Sequence, residues 1–453
     1  MHNVEYKHKI IVFIFKGLVI FMMDLENNIN KPAFSTRIIV AHPYKQHSYQ
    51  MATALRKTGR LFKYITTVYD QGSPFSKIVK MILRNDYKEK LDKKSCVHLN
   101  DGYVKQYCEI SGYIFLILAR IKIFKNLYRI YGAWMNKRFG IKVAKFAIKS
   151  RADAVIMYDT TADSCFYYLK NHAPEVIRIL DVSSNASIER LKLYNSIILK
   201  DPTSELKEEF SYLWNSSFQR RNIREIQNSN YFFVPSYFSR QSIMAQGIDE
   251  DKLFLVHYGV DTGKFKYVKR KYGKIRRLKF VYTGVVSYEK GVNTLLEALS
   301  LLPEDQYCIN IMGIYNPDSR LYNKYKDSRN INFLGYVSHS ELSKIYSDAD
   351  VFVIASLGEG FTLSGLEAMS CGLPVICSEN SGIGDVVENY VNGIIFKTGD
   401  VSSLYEKLQW IYYNQNLLPI MSEKAFITSR KYSWDTYYTN VNKTISDILV
   451  QNR

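Results

Sequence analysis

Two carboxylates bracket one glycine-bearing loop in the stretch Ser356 to Glu379, SLGEGFTLSGLEAMSCGLPVICSE. Glu359 stands before Gly360, whose missing side chain lets a ligand reach the backbone, and a carboxylate there can receive the hydroxyls of a sugar. Glu367 follows with seven residues between, and its two oxygens match the two adjacent donors of a ribose. The unpaired amides expected around Thr362 to Gly365 can bind phosphate oxygens without a cation. Lys290 repeats the arrangement earlier in the chain, in a strand, turn, Lys-Gly, helix order with Gly284 and Gly291 at the turn. Its ammonium can neutralise a diphosphate and the charge that develops as a nucleotide leaves. The alternatives are plain ones: Glu359 as a helix cap or solvated side chain, Glu367 as a surface position, Lys290 as an ordinary lysine before a helix.

Other candidates carry less. The Lys290 loop is neither a GxGxxG fingerprint nor a Walker motif, so nicotinamide and ATP chemistry have no local support. Asp348 and Asp350 have the D-x-D form of a metal-held sugar nucleotide, but they precede the strand VFVIAS, opposite its ligand-bearing end. Asp159 and Asp181 each close a strand and can point into a cleft. His42 and His47 form no zinc set, and the six cysteines include no CxxC pair, which points to reduced thiols.

The elements that must position these residues alternate strand and helix. VFVIAS and PVICSE flank the Glu359 loop, and a helix is expected from about Ser364. Before them come FVYTG, YCINIMG and NINFLGYV, separated by helical stretches. Earlier, RIIVAHP, KYITTVY (Lys63 to Tyr69), ADAVIMYD, EVIRILDVSS, NYFFVPS and KLFLVHYGVD read as strands of a first α/β unit. The 453 residues exceed one ordinary core. Residues 1–35 form an apolar and basic extension, 36–261 a first domain and 262–278 a polar, basic connection. Residues 279–430 form a second domain, and 431–453 a closing helix that crosses back toward the first.

Charge is unevenly placed. Residues 1–150 hold 27 Lys and Arg against 9 Asp and Glu, a surplus equal to the +18 of the whole chain. That part is expected to face an anionic partner or a membrane surface. No nucleic-acid-binding pattern accompanies it. IIVFIFKGLVIFMM (10–23) is too short to span a bilayer and lacks a cleavage site, which leaves an interfacial anchor or sequence upstream of the true start. YIFLILARIKIFKNLY (Tyr113 to Tyr128), with Arg120, Lys122 and Lys125, reads equally as an amphipathic helix among lipid headgroups or as a buried helix charged at one end.

EGFTLSGLEAMSCGLPVI (Glu359 to Ile376) resembles the E-x7-E region of the retaining, nucleotide-sugar-dependent glycosyltransferases of family 4. The likeness extends over NYFFVPSYFSRQSIMAQGIDEDKLFLVHYGVD, YTGVVSYEKGVNTLLEA, NINFLGYVSHSEL and NSGIGDVVENYVNGIIF, and is strong from about residue 228 onward. It implies a GT-B fold, two Rossmann-like domains facing across a cleft, with the donor held by the second. Residue by residue, it assigns donor binding to Gly284, Lys290, Gly335, Glu359, Gly360, Phe361, Thr362, Leu363, Ser364 and Glu367. Glu359 would orient the sugar, Lys290 hold the diphosphate and Glu367 hold the ribose. Catalytic candidates are Glu359 and Lys290, with Asp159 or Asp181 on the opposing side. No metal or cofactor is implied beyond the nucleoside-diphosphate-sugar itself.

The family usually has arginine where this chain has Val285, so one phosphate contact is missing or supplied elsewhere. HPYKQHS, with His42, Lys45, Gln46 and His47, replaces a Gly-Gly loop and implies an altered acceptor side. The expected reaction is retaining transfer of a sugar to a hydroxyl of a glycan or lipid-linked glycan, in surface polysaccharide or lipopolysaccharide assembly. The expected location is cytoplasmic, peripheral on the inner face of the membrane. The alternatives are a noncatalytic carbohydrate- or membrane-surface-binding protein, or an epimerase or glucan synthase on the same fold.

Overall fold

The computed structural model describes residues 36–45, 47–70, 94–99, 102–119, 125–269 and 276–452. The extension 1–35, Gln46, Arg120, Lys122, the Lys125 side chain and part of the 262–278 connection lie outside the described residues.

Seven strands form the first sheet: β1 (Ile38–Ala41), β2 (Leu61–Thr66), β3 (Val104–Gln106), β4 (Ala154–Tyr158), β5 (Ile177–Asp181), β6 (Tyr231–Val234) and β7 (Leu253–Leu255). Their order is β3-β2-β1-β4-β5-β6-β7, and every neighbouring pair is parallel. Parallel strands need helical crossovers, which cover both faces. Every residue of β1, β4 and β5 is accordingly buried. Along β4 the side chains alternate: Ala154, Ile156 and Tyr158 enter one core, Val155 and Met157 the other. β2 begins two residues earlier than the KYITTVY run and ends at Thr66, because Leu61 pairs with Ile38 and Thr66 with Gln106.

Six strands form the second sheet: β8 (Leu278–Thr283), β9 (Tyr307–Met312), β10 (Ile331–Gly335), β11 (Val351–Ile354), β12 (Val375–Ser378) and β13 (Gly393–Phe396). The order is β10-β9-β8-β11-β12-β13, again all parallel. In each sheet the order reverses beside a central strand, which opens a crevice at the carboxyl ends of the strands.

The last helix, Trp434–Gln451, starts at a Ser433 cap and packs on the helix Ser48–Lys57 of the first unit. Asn442 bonds the Ala54 carbonyl at 2.8 Å, and Arg60 reaches the Asn442 carbonyl at 2.7 Å. The run Tyr113 to Tyr128 is shared between two helices, Glu109–Leu118 and Lys125–Lys149. Among the described residues, no helix is long and apolar enough to cross a membrane.

Candidate donor site

The Glu359 loop runs from the end of β11 into the helix Leu363–Ser370. Its backbone is pinned to the turn after β12: the Glu359 amide donates to the Asn380 carbonyl, and the Gly382 amide to the Glu359 carbonyl, both at 3.1 Å. The Glu359 carboxylate is therefore held, not solvated. Oε2 accepts from Ser356 Oγ at 2.9 Å and Thr362 Oγ1 at 3.0 Å, while Oε1 takes Lys290 Nζ at 2.7 Å. Each carboxylate oxygen has room for two donors. Oε1 thus keeps one acceptor position, and the Lys290 ammonium keeps two hydrogens.

Burial alone would depress the Lys290 pKa, but Glu359 and Glu289 beside it raise the value above that of an ordinary lysine. Lys290 is placed by Gly291, whose φ of 63° starts the helix Val292–Ser300. A Cβ on Gly291 would lie 1.8 Å from the Ala355 carbonyl oxygen, so β11 can approach this turn only because the residue is glycine. The Leu357 amide bonds the Glu289 carbonyl at 2.9 Å, joining the two loops directly.

The helix Leu363–Ser370 has no side-chain cap on its amides, since the Thr362 hydroxyl serves Glu359 and Ser381 instead. Its first turn can therefore receive an anion. The Ser364 hydroxyl is already bonded to the Thr283 carbonyl at 3.0 Å and ties β8 to the helix start. Glu367 lies further along; burial pushes its carboxyl up to about 7, opposed by Lys264. Gly284 and Gly335 meet through Gly313: the Gly284 amide bonds the Met312 carbonyl, and the Gly313 amide bonds the Gly335 carbonyl.

Asp159 and Asp181 sit at the facing strand ends. Asp159 is engaged within its own unit, accepting from Ser183 Oγ at 2.6 Å and Ser184 Oγ at 2.7 Å. Asp181 is buried, with Oδ1 3.3 Å from His47 Nε2 and Oδ2 without a hydrogen-bond partner. Asp348 and Asp350 pair with Lys279 and Arg276. Among the described residues, no group of three or more His, Cys, Asp or Glu is placed to hold a metal ion.

The two units touch at this site. A Cβ on Gly360 would lie 2.3 Å from the Ser183 carbonyl oxygen, so the loop after β5 rests on the bare backbone of the Glu359 loop. Asp385 accepts from the Tyr237 amide at 2.8 Å and lies 3.0 Å from His257 Nε2. Arg190 Nη2 reaches Glu289 Oε1 at 2.5 Å, and Glu209 accepts from the Tyr288 amide at 3.2 Å. Burial pushes the Glu209 carboxyl up to about 7 despite the backbone donors. These residues carry no local pattern. Only the position of Glu289 beside Lys290, and of Asp385 within GIGDVVE, marked them in the sequence.

Two Rossmann-like units, each a parallel sheet flanked by helices and facing the other across their strand ends, constitute the GT-B fold. Residues 266–427 match the family described as Glycosyl transferases group 1. The chain is 28% identical over 220 residues to the sulfoquinovosyl transferase SQD2 of Arabidopsis thaliana, covering 46% of this chain and 42% of that protein. It is 29% identical over 166 residues to the O-antigen chain mannosyltransferase B of Escherichia coli, covering 35% and 43%. The chain thus spans less than half the length of these curated relatives. The sucrose-phosphate synthase structure from Thermosynechococcus elongatus superposes with a TM-score of 0.62 at 16% identity, covering 92% of this chain and all of that one, and so shares the fold.

Proposed function

We propose that the protein is a glycosyltransferase that moves a sugar, with retention at the anomeric carbon, from a nucleoside-diphosphate-sugar to a hydroxyl of a glycan or lipid-linked glycan. The observation that carries this reading is the Lys290–Glu359 pair, 2.7 Å apart, held between two strand ends of the second sheet and facing the first. Each partner keeps hydrogen-bonding capacity for a ligand, which a purely structural ion pair does not need. The match of residues 266–427 to a glycosyltransferase family supports the same class.

In this reading the diphosphate lies on Lys290 and on the backbone amides of Phe361, Thr362, Leu363 and Ser364. Gly335 leaves its strand end open, since a Cβ there would meet nothing within 4 Å, whereas Gly284 and Gly360 serve the site by close packing, against the Tyr282 hydroxyl and the Ser183 carbonyl, and not by exposing backbone to the ligand. Glu359 accepts a sugar hydroxyl, and Glu367 accepts the two ribose hydroxyls. No step requires a metal. The bond from the anomeric carbon to the phosphate oxygen breaks, and the acceptor oxygen attacks the same face. Its proton passes to the departing phosphate, so no second carboxylate is needed as a nucleophile. Asp159 and Asp181 lie on the acceptor side, where Asp159 shapes the loop through Ser183 and Ser184 and Asp181 orients His47. Contact between the units excludes water and limits donor hydrolysis.

The acceptor setting is assembly of surface polysaccharide or lipopolysaccharide, with the protein cytoplasmic and peripheral on the inner membrane face. Support comes from the basic first third and from an exposed apolar face. Ile110, Ile114 and Ile117 stand outward at helical spacing on one helix, and Leu127, Ile130 and Trp134 on the next. The name of the Escherichia coli relative, an O-antigen chain mannosyltransferase, fits the same setting.

The test is release of UDP, GDP or ADP from a panel of sugar donors, with and without membrane extract and with EDTA. One donor should be consumed only with extract, without a metal requirement, and with loss in Glu359→Gln and Lys290→Ala. Absence of both donor binding and turnover would leave a noncatalytic binding protein.

A further inference from the structure

Arg190 is the one guanidinium in contact with the Lys290 loop from the opposite unit among the described residues. It belongs to the helix Ser187–Lys200 after β5 and crosses to Glu289, 99 positions along the chain. Its side chain is only 13% exposed and that of Glu289 16%. The Tyr194 hydroxyl donates to the same Glu289 oxygen at 2.7 Å, which fixes the carboxylate. Yet Arg190 is only partly used: Nη2 carries the bonds to Glu289 and Tyr194, and the buried Nε has no hydrogen-bond partner.

The charges around this point constrain what can bind. Lys290 stands beside two carboxylates, Glu359 and Glu289. Without Arg190 the cluster is net negative and would repel a diphosphate. Arg190 offsets one of these charges, with Glu209, its carboxyl pushed up to about 7, beside Glu289 as a further acid, and it supplies a planar donor whose Nε and Nη groups match two phosphate oxygens at once. We propose that Arg190 is a second diphosphate ligand, contributed by the first unit, that exchanges Glu289 for the donor's phosphate when the nucleotide binds. This rests on the glycosyl-transfer reading above and deepens it. The diphosphate becomes a bridge between Lys290 on one side of the cleft and Arg190 on the other, so donor binding itself holds the units together.

The experiment compares binding of UDP, GDP and ADP with binding of uridine, guanosine and adenosine to the full chain. The wild type is expected to prefer one diphosphate over its nucleoside. Arg190→Ala should weaken that diphosphate by about tenfold or more, the scale of a charge-assisted hydrogen bond, and leave the nucleoside unchanged. Glu289→Gln should bind the diphosphate more tightly, because it removes the carboxylate that competes for Arg190. A structural strut gives the opposite sign, with both variants losing affinity together. The proposal is overturned if Arg190→Ala keeps the wild-type ratio of diphosphate to nucleoside, or if Glu289→Gln weakens the diphosphate. If Arg190→Ala does not fold, Arg190→Lys takes its place: it keeps the charge but loses the planar fork, and should likewise weaken the diphosphate and spare the nucleoside, while an unchanged ratio overturns the proposal. If the wild type prefers no diphosphate over its nucleoside, the transfer reading itself fails and this inference falls with it.

Discussion

Glu359 faces Lys290 on one oxygen and two hydroxyls on the other, so its charge and its shape can be separated by substitution. Glu359→Gln keeps the size and one acceptor but removes the charge beside the phosphate site. Turnover should fall by about two orders of magnitude, the usual effect of removing one preorganised polar group. Nucleoside-diphosphate binding should hold or strengthen, since a repelling carboxylate is gone; weaker binding would remove Glu359 from the sugar side. Glu367 gives a second separation. With its carboxyl at about 7, it must release a proton before both oxygens can accept ribose hydroxyls. Nucleotide affinity should therefore fall as pH drops below about 7, by up to about tenfold per unit for one linked proton. The sign for folding is opposite: a raised carboxyl favours the fold below its ordinary value, and that contribution is lost as pH rises through about 7. Glu367→Gln should remove the pH-dependent part of nucleotide affinity and raise the melting temperature more at pH 8 than at pH 5. The carboxylates and Lys290 were legible because each falls in a strand-turn-helix context within a few residues. The partners that settle their chemistry were not. Arg190 meets Glu289 from 99 positions away, and no periodicity encodes that meeting.

At the scale of elements, legibility followed burial. β11 is apolar throughout and β12 as far as its last residue, Ser378, and both are buried inside a sheet covered on both faces, so the sequence announces them. β3 is three residues, Val104–Gln106, all half-buried at the sheet edge, and offers no apolar run to read. The expected helix near Ser364 begins at Leu363, where the chain leaves Thr362 in an extended conformation. Two glycines with nearly the same backbone separate conformation from packing. Gly291 and Gly335 have φ of 63° and 68°, but a Cβ on Gly291 meets the Ala355 carbonyl at 1.8 Å, while one on Gly335 meets nothing within 4 Å. Gly335→Ala should cost about 1 to 2 kcal/mol, the left-handed penalty alone. Gly291→Ala should cost clearly more and also displace Lys290, lowering diphosphate affinity. Equal losses of stability in thermal unfolding would mean that β11 and the Lys290 turn can move apart freely.

For the whole molecule, the division of charge is the fact with the widest reach. The surplus of the entire chain resides in residues 1–150, so in the proposed reading the first unit, opposite the Lys290–Glu359 pair, would carry any attraction for an anionic surface. The sequence left the stretch Tyr113 to Tyr128 open between a buried and an interfacial helix. The described part is divided: Tyr113 and Phe115 are buried, while Ile114 and Ile117 are 40% and 53% exposed. Its outward residues continue onto the next helix through Ile130 and Trp134, the latter covered by Arg138 at 4.8 Å from the ring centre. Charge would bring such a surface to a membrane, and the apolar face would keep it there. The two contributions respond differently to salt. Raising ionic strength to 1 M shortens the screening length to about 3 Å and should weaken only the first. Ile114→Glu together with Ile130→Glu should reduce binding to phosphatidylglycerol vesicles on the order of a hundredfold, since each isoleucine contributes about 1.5 kcal/mol or more when buried. Nucleotide binding by that double variant should be unchanged, because neither residue contributes a bond to the Lys290–Glu359 site. Vesicle binding that is abolished by salt and indifferent to the two isoleucines would make the attachment electrostatic alone. The exposed face would then belong to a contact other than lipid.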